Sequence, residues 1–286
     1  MQKALLIFLI IILGLVFNIG HQYTFLIRYN LMIMLFFVFL NTTLELSLFR
    51  PAHFKVLILN IILPILLYCA ILPLDEDYAS IAFIISITPT AAAAPVIGEI
   101  MKVRVAILTI AVLLGTPLVA LIIPIMLVTL MDISGEIDTI DLVLPVVSLV
   151  FIPLIASQII RKLSAKLTDF LKPFNRLSFP LFLLNVFIAC GNASHFIQNS
   201  EAIGLYEIIQ IFGVVVIIGS LQFQIGHFVG TKGEELEFSL AMGRKNTMIA
   251  LWLALTYFNP IVAIGPICYI IFHNAYNSIQ IWQRER

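Results

Sequence analysis

Three short segments hold residues that could do chemistry. Gly243-Arg244-Lys245-Asn246-Thr247 sets two adjacent cations among apolar neighbours. In hydrocarbon each cation costs about 2.5–3.5 kcal/mol on insertion scales, so the pair persists only where it faces protein or water. Gly243 followed by two charges is also a poor helix centre and reads as a helix break. The plainer alternative starts a helix at Asn246 and leaves Arg244 and Lys245 as interfacial anchors, because only Phe238–Met242 is apolar ahead of them. Thr88-Pro89-Thr90 followed by four alanines and Pro95 is the second segment. Its two prolines withdraw backbone donors and clash with preceding turns, and the bare alanines admit a close neighbour. A kink without a ligand is the plain reading there. The third segment is His273-Asn274, with Asn277 and Ser278 one turn on, inside an apolar run over 261–282. A His-Asn pair repeated at that spacing suits a wet cavity. Groups of these types are suited to binding ions or polar solutes. No nucleophile or ligand set accompanies His273, so an enzyme, a catalytic residue, a metal and a cofactor are not expected.

The elements that must carry these segments follow from composition. The chain has 286 residues, 61% hydrophobic and 11% charged, with mean hydropathy +1.09. Soluble domains run at roughly 45–50% apolar and about 25% charged, so a soluble enzyme is excluded. Acidic and basic residues balance at 16 each, which names no nucleic-acid partner. Cys69, Cys190 and Cys268 each sit in apolar runs and read as small buried hydrophobes.

A membrane-spanning helix needs about 20 mostly apolar residues. Apolar stretches fall near 4–19, 26–44, 54–74, 78–98, 104–130, 141–160, 176–198, 205–229, 236–258 and 260–282. They predict an all-α membrane protein of ten spans. Lys3 before the first stretch also fits a signal peptide, but no small-x-small site follows over 18–25. With ten spans, Lys3, Arg50, Lys55, Lys102, Arg104, the basic 161–176 loop, Lys232, Arg284 and Arg286 share one side, and only Arg28 lies opposite. Asp75, Glu76, Asp77, Asp132, Glu136, Asp138, Asp141, Glu201 and Glu207 gather opposite the cations. The positive-inside rule then places both termini in the cytoplasm of an inner-membrane protein.

The halves look alike. Arg28-Tyr-Asn-Leu leads through an apolar run to Asn41-Thr-Thr43, and Arg176-Leu-Ser-Phe leads to Asn192-Ala-Ser194, about 148 residues on. Five spans per half make the halves cross in opposite senses, an inverted-repeat plan. Repeat 1 covers 1–130, helix 6 lies at 141–160 within a first half of 1–160, and 161–286 completes repeat 2. Both breaks then fall in the fourth span of their half, spans 4 and 9.

At these residues the chain resembles the bile acid:sodium symporter family, most of all its apical-type bacterial members. The likeness covers nearly the whole length and is clearest over 85–130 and 236–282. It rests on Thr88-Pro89, on Val105-Ala106-Ile107, on Ala241 to Asn246 at the position of a Glu-x-Gly-x-Gln-Asn motif, and on His273-Asn274. The resemblance implies ten helices, with a panel of helices 1, 2, 6 and 7 and a core of helices 3–5 and 8–10. It also implies that helices 4 and 9 unwind and cross. Departures fall on the sodium ligands. A Ser-Asn pair becomes Ala94-Pro95, two hydroxyl positions become Leu108 and Val112 beside Thr109, the glutamate becomes Ala241 and the glutamine becomes Lys245. Asn60 lies next to where a glutamine ligand would be.

The expected function is a secondary transporter of a small or amphipathic organic anion, working by alternating access. Lys245 replaces sodium as a tethered cation, and a proton is favoured over sodium as the coupling ion, with Glu99 or Glu45 as partner. Arg244 accompanies Lys245 in this coupling or cation-replacing role. Asn246, His273, Asn274, Thr88 and Thr90 are the substrate-binding candidates, and Pro89, Pro95 and Gly243 break the helices. An ordinary sodium:organic acid symporter and a non-transporting receptor on the same fold are the alternatives. An arsenite carrier would need a thiol at the first break, and none is there.

Overall fold

A computed structural model describes residues 2–42, 49–131, 139–199 and 204–285. Its helices are α1 (Gln2–Phe17), α2 (Phe25–Asn41), α3 (Pro51–Ile71), α4 (Glu76–Ile87), α5 (Ala94–Ile100), α6 (Val105–Met131), α7 (Thr139–Leu163), α8 (Ala165–Leu171), α9 (Ser178–Asn199), α10 (Leu205–Val229), α11 (Glu235–Gly243), α12 (Thr247–Tyr257) and α13 (Pro260–Glu285). Short 3-10 turns lie at Ile19–Tyr23 and Lys172–Leu177. Among the described residues the only bridge between extended segments pairs Thr90 with Lys245.

Five helical segments are long and apolar enough to cross a membrane: Pro51–Ile71, Val105–Leu130, Val143–Leu163, Ala165–Asn199 and Leu205–Val229. Shorter apolar helices run over Leu6–Phe17, Phe25–Asn41 and Thr247–Tyr257. Val16, Ile217 and Phe228 point their side chains outward, as a surface solvated by lipid allows and one solvated by water does not. The chain is an all-helical, multi-pass membrane protein.

Local sequence explains where helices stop. Asp75 caps α4 by accepting the Tyr78 N–H at 2.9 Å. Pro89 then ends it, because the residue before a proline avoids helical angles, and Thr88 is extended (φ −64°, ψ 146°). Pro95 sits in the first turn of α5, where its missing N–H costs nothing. Asn246 caps α12 by accepting the Ile249 N–H at 3.3 Å. Asn259 opens α13, accepting from Ile261 and Val262 while donating to Asp77 at 2.6 Å.

Packing sorts the helices. α1, α2, α7 and α9 pack on one another, whereas α4, α12 and α13 meet at the centre beside α3 and α10. Ala79 to Ile87 of α4 and Thr247 to Ala254 of α12 are buried on every face. A helix apolar all round belongs inside a protein, so the short broken helices are shielded by the longer ones. Within the first group Asn30 donates to Asn185 at 2.8 Å, and Arg28 to Ser148 at 2.8 Å.

Two expectations need correction. The basic 161–176 stretch is not a plain loop, because Ser164 caps α8 by accepting the Leu167 N–H at 3.1 Å. Cys190 and Cys268 are buried, but Cys69 is exposed on α3, and all three thiols are free. Asp132, Glu136, Asp138, Glu201 and Glu45 lie outside the described residues.

Candidate functional site

Two interrupted helices meet at their interruptions. The segment between α4 and α5 runs beside the segment between α11 and α12, stitched by main-chain bonds. The Ala91 N–H donates to the Arg244 carbonyl at 2.6 Å, and the Asn246 N–H donates to the Pro89 carbonyl at 2.8 Å. The Thr90 hydroxyl adds a bond to the Ala241 carbonyl at 2.7 Å. Unwound backbone inside a membrane must find partners within the protein, and here each break supplies the other's.

Lys245 turns inward from this crossing. Its side chain is fully buried, and its ammonium donates to Asn60 Oδ1 at 2.6 Å and to the Ser86 carbonyl at 2.8 Å. Both acceptors are neutral. Glu99, expected as a partner, is instead exposed on α5. Bonds to a charged donor are worth about 1.5–3 kcal/mol each, which offsets the cost of holding the ammonium away from water. Gln222 braces the same place, donating to Ser86 Oγ at 2.9 Å.

Arg244 projects differently. It is 6% exposed, and its Nε and Nη1 have no hydrogen-bond partner. No carboxylate pairs with it among the described residues. Arg244 follows Gly243, and Tyr269 of α13 docks against the break by donating its hydroxyl to the Gly243 carbonyl at 2.6 Å. Gly243 itself leaves no room for a side chain, since a Cβ there would lie 2.3 Å from the Phe223 ring.

The remaining candidates are placed as follows. Thr88 donates to the Ile85 carbonyl at 3.2 Å, so both threonine hydroxyls serve the backbone. Asn274 is half-buried and donates to the Ile270 carbonyl at 2.8 Å. His273 is buried, with Nδ1 unpartnered. Pro89 is buried in the crossing, while Pro95 is half-buried in the first turn of α5. Leu108 and Val112 are buried apolar residues. The structure thus gathers Lys245, Arg244, Asn246, Thr88, Thr90 and Pro89 at one crossing, with His273 beside it.

Sequence reasoning missed the Ser86 carbonyl, which carries no side-chain signal. It also passed over Gln280. The spacing of Tyr269, His273, Asn277 and Gln280 nevertheless marks one face of α13.

A second polar cluster lies at the α11 start. Glu234 accepts from Arg50 Nε at 3.2 Å and also from Arg104 Nη1, and Glu237 accepts the Arg104 N–H at 3.0 Å. His53 accepts the Arg50 N–H at Nδ1, leaving Nε2–H to donate to the Ile107 carbonyl at 3.0 Å. The cluster ties α3, α6 and α11 together.

No protein-family model matches the chain, and comparison with curated proteins finds no match.

Proposed function

We propose that this protein is a secondary transporter of small organic anions, built like the bile acid:sodium symporters, in which Lys245 stands where a transported cation would bind. The observation that carries the reading is the Lys245 ammonium, held by Asn60 and by the buried Ser86 carbonyl near the end of α4, at the meeting of two broken helices. Neutral oxygens around a positive charge at such a crossing are the arrangement in which transporters hold sodium. A tethered ammonium satisfies the same oxygens and repels a second cation.

On this reading α4 with α5 and α11 with α12 each count as one span, giving ten spans in two inverted repeats with both ends in the cytoplasm. α1, α2, α7 and α9 form the panel, and the remaining helices form the moving core. Coupling uses a proton exchanged at Lys245. The mutual packing of the two breaks supports the repeat, and the unpaired Arg244 supports an anionic cargo.

The test is uptake of labelled short organic acids into proteoliposomes under a pH gradient, with sodium replaced by choline. Uptake is expected to follow the pH gradient, to ignore sodium, and to vanish in Lys245→Gln and Lys245→Ala. Unchanged pH-driven uptake in both variants would remove Lys245 from coupling. A saturable, sodium-specific rise in melting temperature would instead identify an ordinary sodium symporter.

A further inference from the structure

Buried polar atoms without partners are rare in folded proteins, yet six gather around one face of α13. They are Arg244 Nε and Nη1, His273 Nδ1, Asn277 Nδ2 and Oδ1, and Gln280 Oε1. Asn277 is 3% exposed and His273 4%. His273, Asn277 and Gln280 follow Tyr269 at helical spacing, and the Tyr269 hydroxyl touches Gly243, next to Arg244. Arg244 therefore stands at one end of a polar stripe. Each further turn of the stripe lies about 5.4 Å along the axis.

The unmet groups describe their own complement. An unpaired buried guanidinium calls for an anion, and its planar donors match a carboxylate. The Asn277 amide has both a free donor and a free acceptor, whichever way it is turned. A second acceptor waits at Gln280. Chloride or a bare carboxylate would leave these acceptors unmet, because neither brings a donor. Hydroxyls do.

We propose that Arg244, His273, Asn277 and Gln280 form the pocket for a compact hydroxy-carboxylate, its carboxylate on Arg244 and its hydroxyls on Asn277 and Gln280. This rests on the transport reading only in taking the bound acid to be the cargo. The pocket discriminates through the hydroxyl, since a site built to bond a substrate hydroxyl rejects the analogue that lacks it.

Glycerate and propionate share a three-carbon carboxylate and differ in hydroxyls. The full chain in detergent is titrated with each sodium salt at constant ionic strength, following the melting temperature. Glycerate is expected to stabilise saturably, with propionate at least tenfold weaker. Arg244→Gln should weaken glycerate more than tenfold, and Asn277→Leu should erase the preference over propionate. Should Arg244→Gln not fold, Arg244→Lys keeps the charge but loses the fork, and the same loss is expected. Equal stabilisation by both acids, no stabilisation by either, or wild-type affinity in the Arg244 variant would overturn the pocket. Glycerate binding without counterflow in proteoliposomes would keep the pocket and remove transport. Acid flux that survives Arg244→Gln would do the reverse.

Discussion

The Lys245 ammonium lies 2.6 Å from Asn60 Oδ1, joining α3 to the segment between α11 and α12 across 185 positions of sequence. The two residues are unequal partners. Lys245→Met leaves two neutral acceptors unmet and should cost about 1–3 kcal/mol. Asn60→Leu leaves a buried ammonium one acceptor short and should cost about 3 kcal/mol or more. The double variant should lose less than the two single losses together. Unfolding midpoints of the four proteins in one detergent measure all three quantities.

Asn246 allows capping to be measured apart from the proposed anion binding. Its side chain accepts the Ile249 N–H, so Asn246→Ala should destabilise by about 1 kcal/mol. Asn246→Ser also caps and should recover most of that loss. A serine variant that regains stability but not anion binding would show that the amide contacts cargo as well.

Close backbone approach makes a sharp comparison possible. A Cβ at Gly226 would lie 2.3 Å from the Phe238 carbonyl oxygen, whereas one at Gly213 meets nothing. Both positions are in α10. Gly226→Ala should therefore cost about 1–3 kcal/mol through overpacking. Gly213→Ala should gain about 0.5–1 kcal/mol from reduced chain freedom. Thermal melts of the pair decide this.

The cluster at the α11 start has a hierarchy. Glu234 is buried and serves two arginines, of which Arg104 is largely exposed. Arg104→Ala leaves Glu234 paired with Arg50 and should cost less than about 1 kcal/mol. Glu234→Ala releases both cations and should cost more than Arg104→Ala. Melting in low and high salt should show the Arg104 contribution shrinking as salt screens it.

The helical, membrane-embedded character was legible from composition, because no arrangement of so many apolar residues suits water. Both breaks were legible for different reasons. Pro89 announces itself through backbone chemistry. Arg244 and Lys245 announce theirs only through charge, and an interfacial position would have explained that charge equally well. Three-dimensional packing decided the matter by burying both. The partners of Lys245 were half legible. The resemblance drew attention to Asn60 only as a neighbour of a sodium-ligand position, with Glu99 or Glu45 expected as the partner, whereas Ser86 contributes its main-chain oxygen, which every residue has. The bonds that Thr88 and Thr90 donate to the Ile85 and Ala241 carbonyls were not legible for the same reason, since their acceptors are main-chain oxygens. Composition also hid the short helix α8, whose seven residues carry too little periodicity to stand out from a basic loop.

The stitches between Pro89–Ala91 and Arg244–Asn246 are made by amide and carbonyl groups alone. They ask nothing of the Lys245 side chain, although the Thr90 hydroxyl adds its own bond to the Ala241 carbonyl. The crossing therefore behaves as a socket whose frame does not depend on the side chain at position 245. An ammonium, a carboxamide or a hydroxyl can be exchanged at Lys245 without unpicking the frame. The frame and the side chain that projects from it are written in separate parts of the same few residues, so one can be rewritten while the other stands.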